Sequence, residues 1–240
     1  MPSWVIHLKI AEEINKELKL NDSIYKFGSV MPDAEGYVVN NLSQNISYDI
    51  SHYACLQNIN EMKFILPNKD KFLMSHKKDI NNDLILGYFS HILADYFFNF
   101  NTFKYKYICD DNENIIGVIL KNNEDYYTDK RSIMSLKQND FEKFSRKIYK
   151  NIDNKIKEED IDKILESCKI IEEINYDRED IIKIIEYVNN IKFEYDKKDI
   201  NEFDYSIYSE KDLENMLDNC IKYIKNEILN LYDYLNKFVN

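Results

Sequence analysis

The stretch Leu84-Ile-Leu-Gly-Tyr-Phe-Ser-His-Ile-Leu-Ala-Asp-Tyr-Phe-Phe98 decides the fold. Wound as a helix it is apolar nearly all round, with Ile85, Phe89, Ile92, Leu93, Tyr96 and Phe97 flanking a single polar face that carries His91 and Asp95. Helices apolar on every side are buried ones, so this segment is expected at the centre of the molecule. His91 and Asp95 lie four residues apart and project from one face. A charge buried there is costly unless it is paired or holds a metal ion, so the pair demands partners from elsewhere in the chain.

Working outward, His7, Ala11, Ile14 and Leu18 fall in one stripe while Lys9, Glu12, Glu13 and Lys16 face water, which predicts a helix from about Trp4 to Leu18 with His7 pointing inward. A short helix follows and is expected to end near Phe27-Gly28, with glycine as a left-handed cap before the turn Ser29-Val-Met-Pro-Asp33. Pro32 stiffens the approach to Asp33. Residues 102–137, with Tyr105–Cys109 and Ile115–Leu120 around a polar turn, read as a small hairpin or an irregular lid. Beyond them the periodicity predicts helices over roughly 139–157, 159–174 and 178–192. A long last helix opens at the capping signature Ser209-Glu-Lys-Asp212 and is striped by Leu213, Leu217, Cys220, Ile224, Ile228, Leu231, Leu235 and Phe238. Only four glycines and three prolines punctuate 240 residues, which favours an all-α fold, a multi-helix bundle. Residues 1–137 are expected to form a metal-binding helical core and 138–240 a C-terminal helical extension packed on the same unit.

The 44% apolar content is ample for one sizeable core. A net charge of −11 repels nucleic acid and anionic membranes at long range, arguing against polyanion binding through basic patches. Cys55, Cys109, Cys168 and Cys220 are too widely spaced for a metal knuckle or a disulfide scaffold and read as reduced core thiols. No stretch approaches a membrane span. The first residues show no basic leader ahead of an apolar run, and the expected location is cytoplasmic.

All four histidines fall within the first 91 residues, which confines imidazole chemistry to that part of the chain. His7, His52, His91, Asp33 and Asp95 form a donor set that suits zinc or a similar divalent first-row ion. Without paired cysteines an open, catalytic coordination sphere fits better than a closed structural one. Each residue also has a plainer reading. An inward histidine such as His7 is more often a hydrogen-bonded core residue, and Asp33 after Pro32 can simply cap the next helix. Asp49 is positioned to orient His52 or to sit on the surface, and His76 in Ser75-His-Lys-Lys reads as solvated.

The order of the motifs, Trp4-x-x-His7, Gly28-x-x-x-Pro-Asp33, Ser51-His52-Tyr53, then Gly87-Tyr-Phe-Ser-His91-x-x-x-Asp95, resembles the zinc-dependent phospholipase C family over about residues 4 to 100. The resemblance implies a phospholipase C-like helical architecture, shared with P1-type nucleases, and hydrolysis of a phosphodiester or phosphomonoester in a small phosphate ester or phospholipid head group. It implies that Asp33, His52, His91 and Asp95 hold one zinc ion, that Asp95 bridges to a second ion also bound by His7, and that Asp33 doubles as general base. Two features depart from that family: Trp4 is preceded by Met1-Pro2-Ser3, so it offers no free amino group, and no histidine follows His91, so one or two ions are expected. HD-type phosphohydrolases are set aside because no adjacent His-Asp pair occurs. The rival reading is a catalytically weak or inactive helical metal-binding module, acting in binding or as a structural protein.

Overall fold

The computed structural model describes residues 2–34, 39, 41–43, 46–59, 62–197 and 204–239, the last four as backbone alone. In chain order the described elements are α1 (Trp4–Leu18), α2 (Asp22–Val30), α3 (Tyr48–Ser51), β1 (Cys55–Ile59), β2 (Met62–Leu66), α4 (Lys69–His76), α5 (Asp83–Tyr105), β3 (Tyr107–Cys109), β4 (Ile115–Ile119), β5 (Asp125–Tyr127), α6 (Lys130–Ile148), α7 (Ile161–Cys168), α8 (Arg178–Lys197) and α9 (Glu210–Val239). Helix accounts for 66% and strand for 10%, so the fold is largely helical, with two small antiparallel sheets, β1-β2 and β3-β4-β5. No described helix is long and apolar enough to cross a membrane.

Helix α5 is the axis. Asn82 caps it by accepting from the backbone N–H groups of Leu84 and Ile85, and its residues 84–95 are all buried. Helix α2, capped by Asn21 through the Ile24 N–H, crosses it at very close range. The expected glycine cap at Gly28 is corrected here: α2 continues through Gly28 to Val30. The glycine serves tertiary packing, because a Cβ at Gly28 would lie 2.2 Å from the Leu84 carbonyl oxygen, and one at Gly87 would lie 2.2 Å from that of Tyr25. The two backbones touch at reciprocal glycines, and Tyr25 Oη and Ser90 Oγ, 2.7 Å apart, close the same contact.

Helix α1 occupies the residues expected, with Ser3 as its cap, and α9 packs against both α1 and α5. Ser209 and Asp212 cap α9 reciprocally, Ser209 N–H donating to Asp212 Oδ2 at 2.8 Å and Asp212 N–H to Ser209 Oγ at 3.1 Å. The stripe from Leu213 to Leu231 is buried; Phe238 lies outside the described side chains.

Of the segment 102–137 read as a hairpin or lid, only the middle is a three-stranded meander, β3-β4-β5, with register Tyr107↔Val118 and Gly117↔Tyr127; its first residues complete α5 and its last open α6. The helix expected over 139–157 begins earlier: α6 opens at Lys130 under an Asp129 cap and ends at Ile148. Residues 152–156 run irregularly, burying Ile152, Asn154 and Ile156 at every second position. Similarly, the helix expected over 159–174 is only α7, after which Ile171 and Ile174 reach the core from irregular backbone. Asp140 on α6 accepts from the N–H groups of Ser206, Ile207 and Tyr208 at 2.7–2.9 Å and so fixes the approach to α9.

Candidate metal centre

Four separate segments deliver five side chains to one buried place. His7 comes from α1; Asp33 ends the 3-10 turn Met31–Asp33 that follows α2; His52 caps the C-terminus of α3; His91 and Asp95 come from the middle of α5. The three histidines and Asp95 are at most 2% exposed and the Asp33 side chain 8%, so water does not solvate these charges.

Asp33, His52, His91 and Asp95 each offer one donor atom, and the four donors lie within 4.8 Å of one another. His52 Nε2 is 3.1 Å from His91 Nε2, 3.2 Å from Asp33 Oδ1 and 3.4 Å from Asp95 Oδ2, and His91 Nε2 is 3.8 Å from Asp33 Oδ1. Four ligands at the bond lengths usual for zinc, about 2.0–2.1 Å, stand about 3.3 Å apart in a tetrahedron. These residues therefore fit a divalent ion. Facing neutral imidazoles, Asp33 Oδ1 and both Asp95 oxygens are buried and accept no hydrogen bond, a costly arrangement for carboxylates that a cation, whether a metal ion or a protonated His52, relieves.

The imidazoles are turned the same way by their outer partners. His91 Nδ1 lies 2.9 Å from the Ser29 carbonyl oxygen, which can only accept, so Nδ1 carries the proton and Nε2 presents its lone pair inward. His52 Nδ1 is 2.8 Å from Ser51 Oγ. Its partner is thus Ser51, and of the two readings left open for Asp49 the structure shows the surface one: Asp49 is exposed. Two Nε2 lone pairs 3.1 Å apart would repel, so either a metal ion or one proton stands at this point. Without metal the proton belongs to His52. Burial lowers its pKa, but the Asp33 and Asp95 carboxylates outweigh burial and push it up to about 9. Burial and the neighbouring His7 drive His91 down to about 3. Burial alone would raise both carboxylates, yet the facing imidazoles hold Asp33 below the usual range and Asp95 well below it.

His7 stands on the other side of the same carboxylates. Its Nε2 is 3.3 Å from Asp95 Oδ1 and 4.0 Å from Asp33 Oδ2, and its ring stacks on His91 with centroids 4.1 Å apart. Each carboxylate thus turns one oxygen toward His52 and the other toward His7. Trp4 begins α1 with its backbone nitrogen in a peptide bond, which leaves the His7 side without an amine donor from that residue.

One plain reading is corrected. His76 is 3% exposed, not solvated: its Nε2 lies 2.5 Å from Tyr53 Oη and 3.4 Å from Glu173 Oε2. Tyr53 directly follows His52 and takes a left-handed backbone (φ 51°), strain that a non-glycine residue adopts only when packing imposes it. Sequence reading also missed Ser29, whose contribution is a backbone carbonyl and leaves no side-chain signal. It missed Lys137 too, which is buried on α6.

A divalent ion bound here would displace the His52 proton, so affinity for an added ion such as zinc is expected to rise about tenfold per pH unit from pH 6 and to level off near pH 9. Calorimetry in buffers of different ionisation enthalpy checks this. Release of about one proton per chain at pH 7 is expected, and a pH-independent affinity would contradict the arrangement. No family model, no curated protein and no solved structure matches this chain.

Proposed function

We propose that this chain is a metal-dependent phosphoesterase of phospholipase C-like type, with zinc as the ion held by Asp33, His52, His91 and Asp95. The observation that carries the reading is the set of buried, unpartnered carboxylate oxygens of Asp33 and Asp95 facing inward-turned histidine nitrogens. A bound divalent ion supplies Lewis acidity and lowers the pKa of a coordinated water toward about 7. His7 and the second oxygens of both carboxylates are the residues that would hold a further ion.

The protein's own side chains do the rest. Asp33, the less enclosed carboxylate, is ionised and placed to take a proton from an attacking water. Ser29 and Ser51 keep the imidazoles oriented through their outer nitrogens. Tyr48 stacks on His52 at 4.1 Å and, kept protonated by burial and by Asp95 and Asp33, walls the site with a neutral phenol. The order of motifs that resembles the phospholipase C family supports phosphorus as the centre attacked, and the acidic chain favours a small ester over a nucleic acid polymer.

The test measures zinc per chain and hydrolysis of a panel of chromogenic phosphate mono- and diesters by the parent and by Asp33→Asn. The expected outcome is activity in the zinc-loaded parent and a fall in kcat of at least about 100-fold in the variant. Zinc retained with no ester hydrolysed would replace this reading with that of a helical metal-binding module. Unchanged activity in Asp33→Asn would remove Asp33 as the base.

A further inference from the structure

We propose that Lys137 is an anion-binding residue beside the metal centre and that it selects a doubly charged phosphoryl group, as in a phosphomonoester. The proposal rests on the phosphoesterase reading and deepens it. His91, Asp95, Asn99 and Thr102 lie along one face of α5, all buried, so a polar stripe continues from the metal ligands along the helix. Lys137 reaches this stripe from α6. It is 4% exposed, its Nζ donates to Asn99 Oδ1 at 3.3 Å, one helical turn beyond Asp95, and it stands 6.0 Å over the Phe141 ring.

What distinguishes Lys137 is the missing counter-ion. Among the described residues the other buried lysine, Lys26, is flanked by Asp22 and Asp153. Among the described residues no carboxylate oxygen lies within 4.0 Å of Lys137. Among the described residues its one hydrogen-bond acceptor is the neutral Asn99 side chain, which disfavours the buried ammonium, and burial lowers its pKa to about 8, with Asp95 acting in the opposite direction. Charge counting completes the argument. One divalent ion balances the two carboxylates of Asp33 and Asp95, which leaves the Lys137 charge over, and a second ion raises the excess further. The loaded site is therefore cationic inside an acidic protein. A phosphoryl dianion held between metal and ammonium neutralises it more fully than a singly charged diester.

The test titrates inorganic phosphate and dimethyl phosphate at pH 8 into the zinc-loaded full chain and into Lys137→Met and Lys137→Gln, with zinc per chain measured for each. The parent is expected to prefer phosphate, and both variants to keep their zinc but bind phosphate at least about 30-fold more weakly. Their loss on dimethyl phosphate should be smaller. Zinc-free Lys137→Met should melt no lower than the parent, because a buried ammonium without a counter-ion has been removed, a result that a structural lysine would not give. Phosphate affinity equal to the parent's in zinc-loaded variants overturns the proposal, as does loss of zinc from both variants or a parent that binds no phosphate. Phosphate bound through Lys137 by a parent that hydrolyses no ester would uphold the subsite and reject the enzymatic reading, so the two failures are separable.

Discussion

Gly87→Ala is expected to destabilise the protein by at least about 3 kcal/mol, lowering Tm by roughly 6–12 °C, and Gly87→Val to prevent folding. The sign is opposite to the ordinary one. In an exposed helix interior alanine is favoured over glycine by about 1 kcal/mol, because glycine loses more backbone entropy on folding. Here the added Cβ would lie 2.2 Å from the Tyr25 carbonyl oxygen and 3.0 Å from the Ser29 nitrogen, both backbone atoms of a packed helix that cannot rotate away. Separating α2 from α5 would also pull the Ser29 carbonyl from His91 Nδ1 and shift the turn that carries Asp33. Thermal unfolding followed by circular dichroism checks the prediction. A variant as stable as the parent would mean that the two helices do not meet backbone to backbone.

That contact also shows what the sequence could and could not reveal. The α1 stripe and the all-round apolarity of α5 are periodic over many residues; α1 appears where periodicity predicts it, and α5 contains the predicted 84–98 but runs on to Tyr105. Gly28 has the local look of a helix end, but its reason for being glycine is Leu84 on another helix, and no local pattern carries that. Burial at Ile152, Asn154 and Ile156 follows a period of two within a stretch that also contains helix-forming residues, which hides the end of α6 at Ile148. The hairpin β1-β2 went unseen because its strands are short, half exposed and interrupted by Gln57, Asn58 and Lys63.

The candidate site was legible to a greater degree. A histidine and an aspartate inside an apolar helix announce a need for partners, and the structure brings His7, Asp33 and His52 to them. What stayed hidden are groups whose role depends on tertiary neighbours. Ser29 acts through its carbonyl, His76 is buried despite two flanking lysines, and Lys137 resembles any surface lysine until α6 is docked.

Asp95→Asn is the second large effect expected. Asp95 is 0% exposed, and its two oxygens face opposite ways, Oδ2 toward His52 at 3.4 Å and Oδ1 toward His7 at 3.3 Å. The amide keeps the shape but loses the charge and offers an N–H where a lone pair is needed, so ligation suffers on both sides at once. Changes to groups that merely support metal ligands commonly cost about 10–100-fold in affinity, so loss of the proposed Asp95 ligand should exceed about 100-fold and remove with it the proposed ester hydrolysis. The charge balance within the empty cluster changes as well. With one carboxylate fewer, His52 loses part of what holds its proton, and its pKa should fall from about 9. Histidine titration followed by NMR would record that fall in the metal-free variant.

The claim beneath both the site and the proposed activity is that these distant segments form a cage for a divalent cation. Zinc per chain after exhaustive dialysis, measured side by side for the parent and Asp95→Asn, tests it most directly. The parent should retain one or two ions and the variant none; an empty parent, or equal zinc in both proteins, would contradict the account.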